Sequence, residues 1–180
     1  MKFGEIPHFG EPLPTRVYRL VGSDRELLMR GYRCEKQGLG VGAFAYYRRI
    51  VEGNKDRFID EMMRVAEAQD ATHPILAQLE RAKRQRQLSA AIESIKAALP
   101  ESLQIEGRNP LLLLHRAASI GLHGLSDEEC LAYARETRLV LSEFARKIEV
   151  ARRDKRQLKE AVRRLSNIGA PSGSEDSGHD

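Results

Sequence analysis

The chain has 180 residues, enough for one domain with a buried core and too few for two comfortable ones. Charged residues make up 31%, apolar ones 41% and aromatics only 6% with no Trp, a balance that suits a helix-rich domain better than a sheet sandwich. A formal net charge of +4 permits a polyanionic partner without requiring one, and no apolar run approaches the roughly 18 residues of a membrane span. Cys34 and Cys130 are only two thiols and no signal-peptide pattern opens the chain, so a cytoplasmic protein with reduced thiols is expected.

Residues 1–22 hold Pro7, Pro12 and Pro14 with Gly4 and Gly10, so no helix is expected before Ser23. Thr15 to Val21 is expected to lie extended across the helices as an arm. A first helix should open at Ser23, where Glu26 completes an S-x-x-E capping box, and carry Leu27, Leu28, Gly31 and Tyr32 on one face to about Cys34. In residues 37–53, QGLGVGAFAYYRRIVEG, Gly38, Gly40 and Gly42 alternate. A glycine-rich turn before a helix can cradle phosphate, but no strand precedes this one and no Lys-Ser/Thr follows it. Close approach of two helices is the better account.

From Ala43 the pattern is helical, with Phe44, Tyr47 and Val51 on one face and Arg48 four residues before Glu52. Gly53-Asn54 should end or loosen that helix before Phe58, Ile59, Met62, Met63, Val65 and Ala66 continue an apolar face. Thr72 with Pro74 opens a third segment through Leu99. Its two apolar stripes flank a basic cluster, Arg81, Lys83, Arg84 and Arg86, which a solvated face explains at least as well as a nucleic-acid contact.

Asn109 can cap a helix that Pro110 opens, and Leu111 to Leu114 form a run that water cannot accommodate. Gly121 weakens this helix, and Ser126 with Glu129 makes a capping box for the last one. From Asp127 to about Ser166 no breaker occurs, and Cys130, Leu131, Ala134, Leu139, Leu141, Phe144, Ile148 and Ala151 are expected to face the core. Forty helical residues would span roughly 60 Å, more than a compact domain needs. The last turns, where Leu158, Ala161, Val162 and Leu165 are the only apolar residues, should therefore project, break or pack on another chain. Arg146 to Arg164 holds nine Lys/Arg and three acids, a net +6. Arg152, Arg153, Lys155 and Arg156 thereby join the Arg81–Arg86 cluster as a candidate nucleic-acid-binding surface. The expected organisation is an N-terminal arm (1–22), an all-α antiparallel bundle of four to five helices (23–167) with a long last helix, and a disordered tail (168–180).

Arg116 and His123 are the one Arg/His pair with a plausible joint role. A guanidinium can hold a scissile phosphate and stabilise its growing charge, while an imidazole moves a proton to or from a ribose 2′-OH or the leaving oxygen. The structural alternative is an exposed helix arginine and a loop histidine that caps a carbonyl. Asp127, Glu128 and Glu129 in the first turn of the next helix oppose anion binding at that helix end.

This layout resembles the HEPN superfamily of helical bundles, whose R-x(4–6)-H motif sits between the last two main helices. Arg116-AASIGL-His123 matches its longest spacing. GVGAFAYYRRIVE also resembles the second-helix signature of a widespread bacterial domain of unknown function within that superfamily. The resemblance covers roughly residues 24–150. It implies a metal-independent endoribonuclease without cofactor, acting as a homodimer with the two motifs facing across the interface. It also implies an alternative, since other members are non-catalytic dimerisation or partner-docking modules. It brings Arg49 and Glu52 forward as catalytic candidates beside Arg116 and His123, although an ion pair of Arg48 or Arg49 with Glu52 is a sufficient structural role. RNA or a protein partner is expected, and no membrane. A metal site from Cys34, Cys130, His115 and His123 has no recognised spacing.

Overall fold

A computed structural model describes residues 12–95 and 99–168 of the chain; the expected tail beyond 168 and residues 1–11 of the expected arm lie outside them. Among the described residues the fold is all-α, in more pieces than the four or five expected. The first piece, α1, Thr15–Val21, is a correction: this segment is helical, not extended. Pro14 sits at its N-cap, where a missing N–H costs nothing, and Val17, Leu20 and Val21 are buried at helical spacing. Burial of that stripe overrides the prolines, which all lie upstream.

The capping box foreseen at Ser23 does not form. Gly22–Asp24 is a 3₁₀ turn, and α2, Arg25–Lys36, starts after Asp24 without a side-chain cap. Asp24 instead accepts a hydrogen bond from Asn54 at 2.6 Å. Asn54 is the buried joint between α3, Gly40–Gly53, and α4, Lys55–Ala68, and it also donates to the Ile50 carbonyl at 3.0 Å. The third segment is likewise two helices, α5, His73–Arg84, and α6, Leu88–Ile95. Gln85 is extended there, and the Lys55 ammonium donates to the Lys83 and Gln85 carbonyls that the break leaves open.

α7, Pro110–Ala118, begins as expected: the Asn109 side chain accepts from Leu111 N–H at 2.9 Å. A 3₁₀ turn, Leu122–Gly124, leads to α8, Asp127–Ser166, where both halves of the Ser126/Glu129 capping box are made.

Neighbours in sequence fold back on each other: Tyr47 of α3 donates to Glu35 of α2, and Lys83 of α5 pairs with Asp60 of α4. The two long elements behave differently. α3 and α4 form one jointed rod beside α8, and both rods run the same way. Gly40 meets Asp127 at the start, the Phe44 and Tyr133 rings lie 5.9 Å apart, Phe58 and Phe144 meet edge-on at 6.0 Å, and Glu61 reaches Arg152 near the end. The α8 seam is Cys130, Ala134, Thr137, Leu141, Phe144, Ile148 and Ala151, a four-three alternation of buried positions with the buried Ala145 beside it. Each large apolar side chain buried there contributes roughly 1.5–3 kcal/mol. Leu139, expected in the core, falls between seam positions and is 58% exposed. Residues 156–168 are exposed throughout, so the last three turns of α8 project from the bundle.

Candidate functional site

α7 ends because Ser119 turns back on it. The Ser119 hydroxyl and backbone N–H both donate to the His115 carbonyl, at 2.8 and 2.9 Å, and Gly121 is extended. This leaves Arg116 exposed on the last turn of α7 and His123 exposed in the following 3₁₀ turn. Neither side chain has a hydrogen-bond or ion-pair partner among the described residues. Both are therefore free to meet an external group.

Of the two ion pairs expected on α3, one forms. Arg48, not Arg49, bonds Glu52, at 2.9 Å. Arg48 also donates to the Ile120 carbonyl at 3.3 Å, so it reaches the segment that separates Arg116 from His123. Arg49 is exposed and joins neither contact. The i, i+4 spacing of Arg48 and Glu52 was the legible signal; the reach to Ile120 depends on packing 72 residues away.

Asp127 does not serve its own helix end. Its two carboxylate oxygens accept from the Gly40 and Val41 N–H groups at 2.9 and 2.8 Å. These bonds hold the Asp127 carboxyl below its ordinary pKa. The first two N–H groups of α3 are thus filled by a carboxylate, which opposes a phosphate at Gly38–Gly42. Each of these glycines has its own work. Gly38 has φ +74° and completes a Schellman turn in which Leu39 N–H bonds the Cys34 carbonyl at 2.8 Å. A Cβ on Gly40 would stand 1.8 Å from the Asp127 carbonyl oxygen, so only glycine lets α3 meet α8 there. Gly42 faces the Cys34 sulfur.

A buried polar cluster was not foreseen. Glu35, 5% exposed, accepts from Tyr47 at 2.8 Å and from Arg138 Nε at 2.8 and 3.0 Å, joining α2, α3 and α8. Burial, reinforced by the neighbouring Glu35 charge, pushes the Tyr47 hydroxyl far above its usual pKa. Burial pulls the Arg138 guanidinium down, but the hydrogen bond and the charge of Glu35, with Tyr47 and Tyr32, together outweigh it and leave the pKa raised. The carboxylate is fully engaged, and this cluster fastens helices together.

The candidate nucleic-acid residues are not brought together. Arg81, Lys83 and Arg84 lie on α5, where Lys83 bonds Asp60 at 2.6 Å and Arg81 bonds the Ala77 carbonyl; Arg86 is exposed just beyond. Arg152, Lys155 and Arg156 line a separate groove of about 770 Å³ between α1, α4 and α8. Arg153 lies outside it, 3.3 Å from Asp154. Among the described residues no group of three or more His, Cys, Asp or Glu stands together to hold a metal, and no helix is long and apolar enough to cross a membrane. No family model, curated protein or solved structure matches the chain.

Proposed function

We propose that the Arg116–His123 end of the bundle is a metal-independent RNA-cleaving site of the HEPN type, completed by a second copy of the chain. The observation that supports it is the availability of both groups: a guanidinium and an imidazole, seven positions apart, are exposed and unpartnered among the described residues. Arg48 braces the turn between them through the Ile120 carbonyl. In this reading Arg116 binds the scissile phosphate and offsets the charge that grows on its oxygens. His123 takes the proton of the ribose 2′-OH as that oxygen attacks phosphorus. The bond from phosphorus to the 5′ oxygen breaks, and the leaving oxygen receives a proton from the His123 of the other copy. Arg49 and Glu52 stay at the edge of this end, Glu52 holding Arg48 in place.

The test is cleavage of a structured RNA in excess EDTA by the wild type and by His123→Ala. The wild type should cut, and the variant should lose at least about 100-fold in rate, the usual size of a general acid–base contribution. Cleavage that EDTA abolishes, or that His123→Ala keeps, rules this reading out.

A second reading, a non-catalytic module that docks a protein partner or another copy, is favoured by the free end of α8. The four-three seam continues past Ala151 as Lys155, Leu158, Val162 and Leu165, and the last three are 61%, 54% and 67% exposed. Leu158→Asp with Val162→Asp should then shift the sedimentation coefficient towards the monomer at an unchanged melting temperature. A monomeric wild type that captures nothing through this face speaks against it.

A further inference from the structure

We infer that the groove between α1, α4 and α8 is a binding track for the phosphate backbone of a nucleic-acid duplex, separate from the Arg116–His123 end. The groove is lined by eight cations and three carboxylates, a local excess of +5 in a chain whose total is only +4. That excess is assembled by the fold, since its residues come from positions 16 to 159.

Lys155 is paired with Asp70 outside the groove, but the rest of the internal pairing leaves charge unspent. Arg16 and Arg19 of α1 share one carboxylate, Glu149, at 3.7 and 3.5 Å, too far for strong hydrogen bonds. Arg64 and Arg152 share Glu61. Arg57 is bonded to the Arg19 and Leu20 carbonyls at 2.7 and 2.8 Å, contacts that fix the guanidinium without neutralising it. Arg156 and Lys159 have no ion-pair partner among the described residues. The Nε of Arg16 is buried without a hydrogen-bond partner, so one donor on the α1 wall is unsatisfied.

The shape selects a linear polyanion over a single small anion. Arg152, Arg156 and Lys159 follow one another at four and three residues along α8, about 6 and 4.5 Å apart on the helix axis, with the α1 arginines on the facing wall. Six of the eight cations are arginines, whose planar forks match phosphate oxygens two at a time. None of the lining residues is aromatic. Single strands are typically held by bases stacked on aromatic rings, and this groove has no such platform. What it offers is contact with phosphates, indifferent to sequence, which suits a duplex whose bases stay paired.

Binding is measured by fluorescence anisotropy with labelled 20-base-pair RNA and DNA duplexes of one sequence, across a salt series. Engagement of about four phosphates gives a log–log salt slope near −3.6. Arg156→Glu with Lys159→Glu, at positions exposed beyond the packed seam, should weaken binding at least 30-fold and flatten the slope by about 2. Arg84→Glu with Arg86→Glu changes the net charge equally but lies outside the groove, and should cost less than 3-fold. Circular dichroism checks that both variants stay helical. Binding of either duplex with this pattern supports the track, and the preferred duplex identifies its source. No duplex binding at 50 mM salt, a flat slope, equal loss in both variants, or binding only to phosphatidylserine vesicles overturns it. The track is read by duplex binding and the nuclease reading by cleavage in EDTA, so failure of the one and failure of the other are told apart.

Discussion

At the residue scale, single atoms decide how closely helices meet. Gly40 is required because a Cβ would stand 1.8 Å from one backbone atom of α8 and 2.6 Å from another, the Leu131 nitrogen, and neither can swing away. Gly40→Ala should therefore cost about 2 kcal/mol or more in urea denaturation. Gly42→Ala meets only the Cys34 side chain, at 3.2 Å, and should stay within about 1 kcal/mol of the wild type. Asp127 adds a pH-dependent part. Its folded pKa lies below the ordinary 3.8, so the stability it lends is complete well above 3.8 and is lost as the pH falls below it. The difference in melting temperature between wild type and Asp127→Ala should be largest near neutrality and shrink towards pH 2.5. A difference that grows in acid would mean that the carboxylate is not the α3 cap. In the buried cluster, Arg138→Met strands the Glu35 carboxylate. The cost should be ~2–3 kcal/mol, below that of a fully buried pair because Arg138 keeps 21% exposure. Glu35→Gln added to Arg138→Met removes the stranded charge and should recover about 1 kcal/mol, measured as a double-mutant cycle.

At the element scale, what could be read from sequence was what local chemistry decides. The Asn109 cap, the Ser126–Glu129 box and both ends of α8 depend on residues within a few positions of each other, and all appear where expected. Ser23 carries the same box signature, yet it lies in a 3₁₀ turn, because Asp24 is held by Asn54 from thirty residues away. α1 was missed since the prolines upstream of it suggested loop, whereas burial of Val17, Leu20 and Val21 decides its state. Leu139 was misplaced because an apolar residue close to a seam looks much like one on it. Arithmetic left three fates for the end of α8, to project, break or pack on another chain; the helix does not break, and its last turns are exposed in the single chain. A chain ending at Gln157 should melt within about 3 °C of the full chain by circular dichroism, because the turns removed are exposed. A large loss of stability would show that this end supports the bundle.

At the scale of the whole molecule, the jointed α3–α4 rod and α8 start together and run in parallel, and this gives the bundle two distinct ends. The beginning of the rods carries the Asp127 bridge to α3, and the far end holds the groove shared with α1. Sequence reading paired Arg116 with His123 because they lie within a few residues of each other. It found only three of the eight groove cations, Arg152, Lys155 and Arg156, because the others are scattered over α1, α4 and the last turns of α8 until packing gathers them. Arg153, adjacent in sequence, points elsewhere, as helical periodicity requires. The cleavage proposed for the Arg116–His123 end is tested most directly by the ends of any RNA products, read by mass spectrometry beside a substrate methylated at every 2′ oxygen. Attack by the 2′ oxygen leaves 2′,3′-cyclic phosphate and 5′-hydroxyl ends and spares the methylated strand. Products with 5′-phosphate ends, or cutting of the methylated strand, would contradict it.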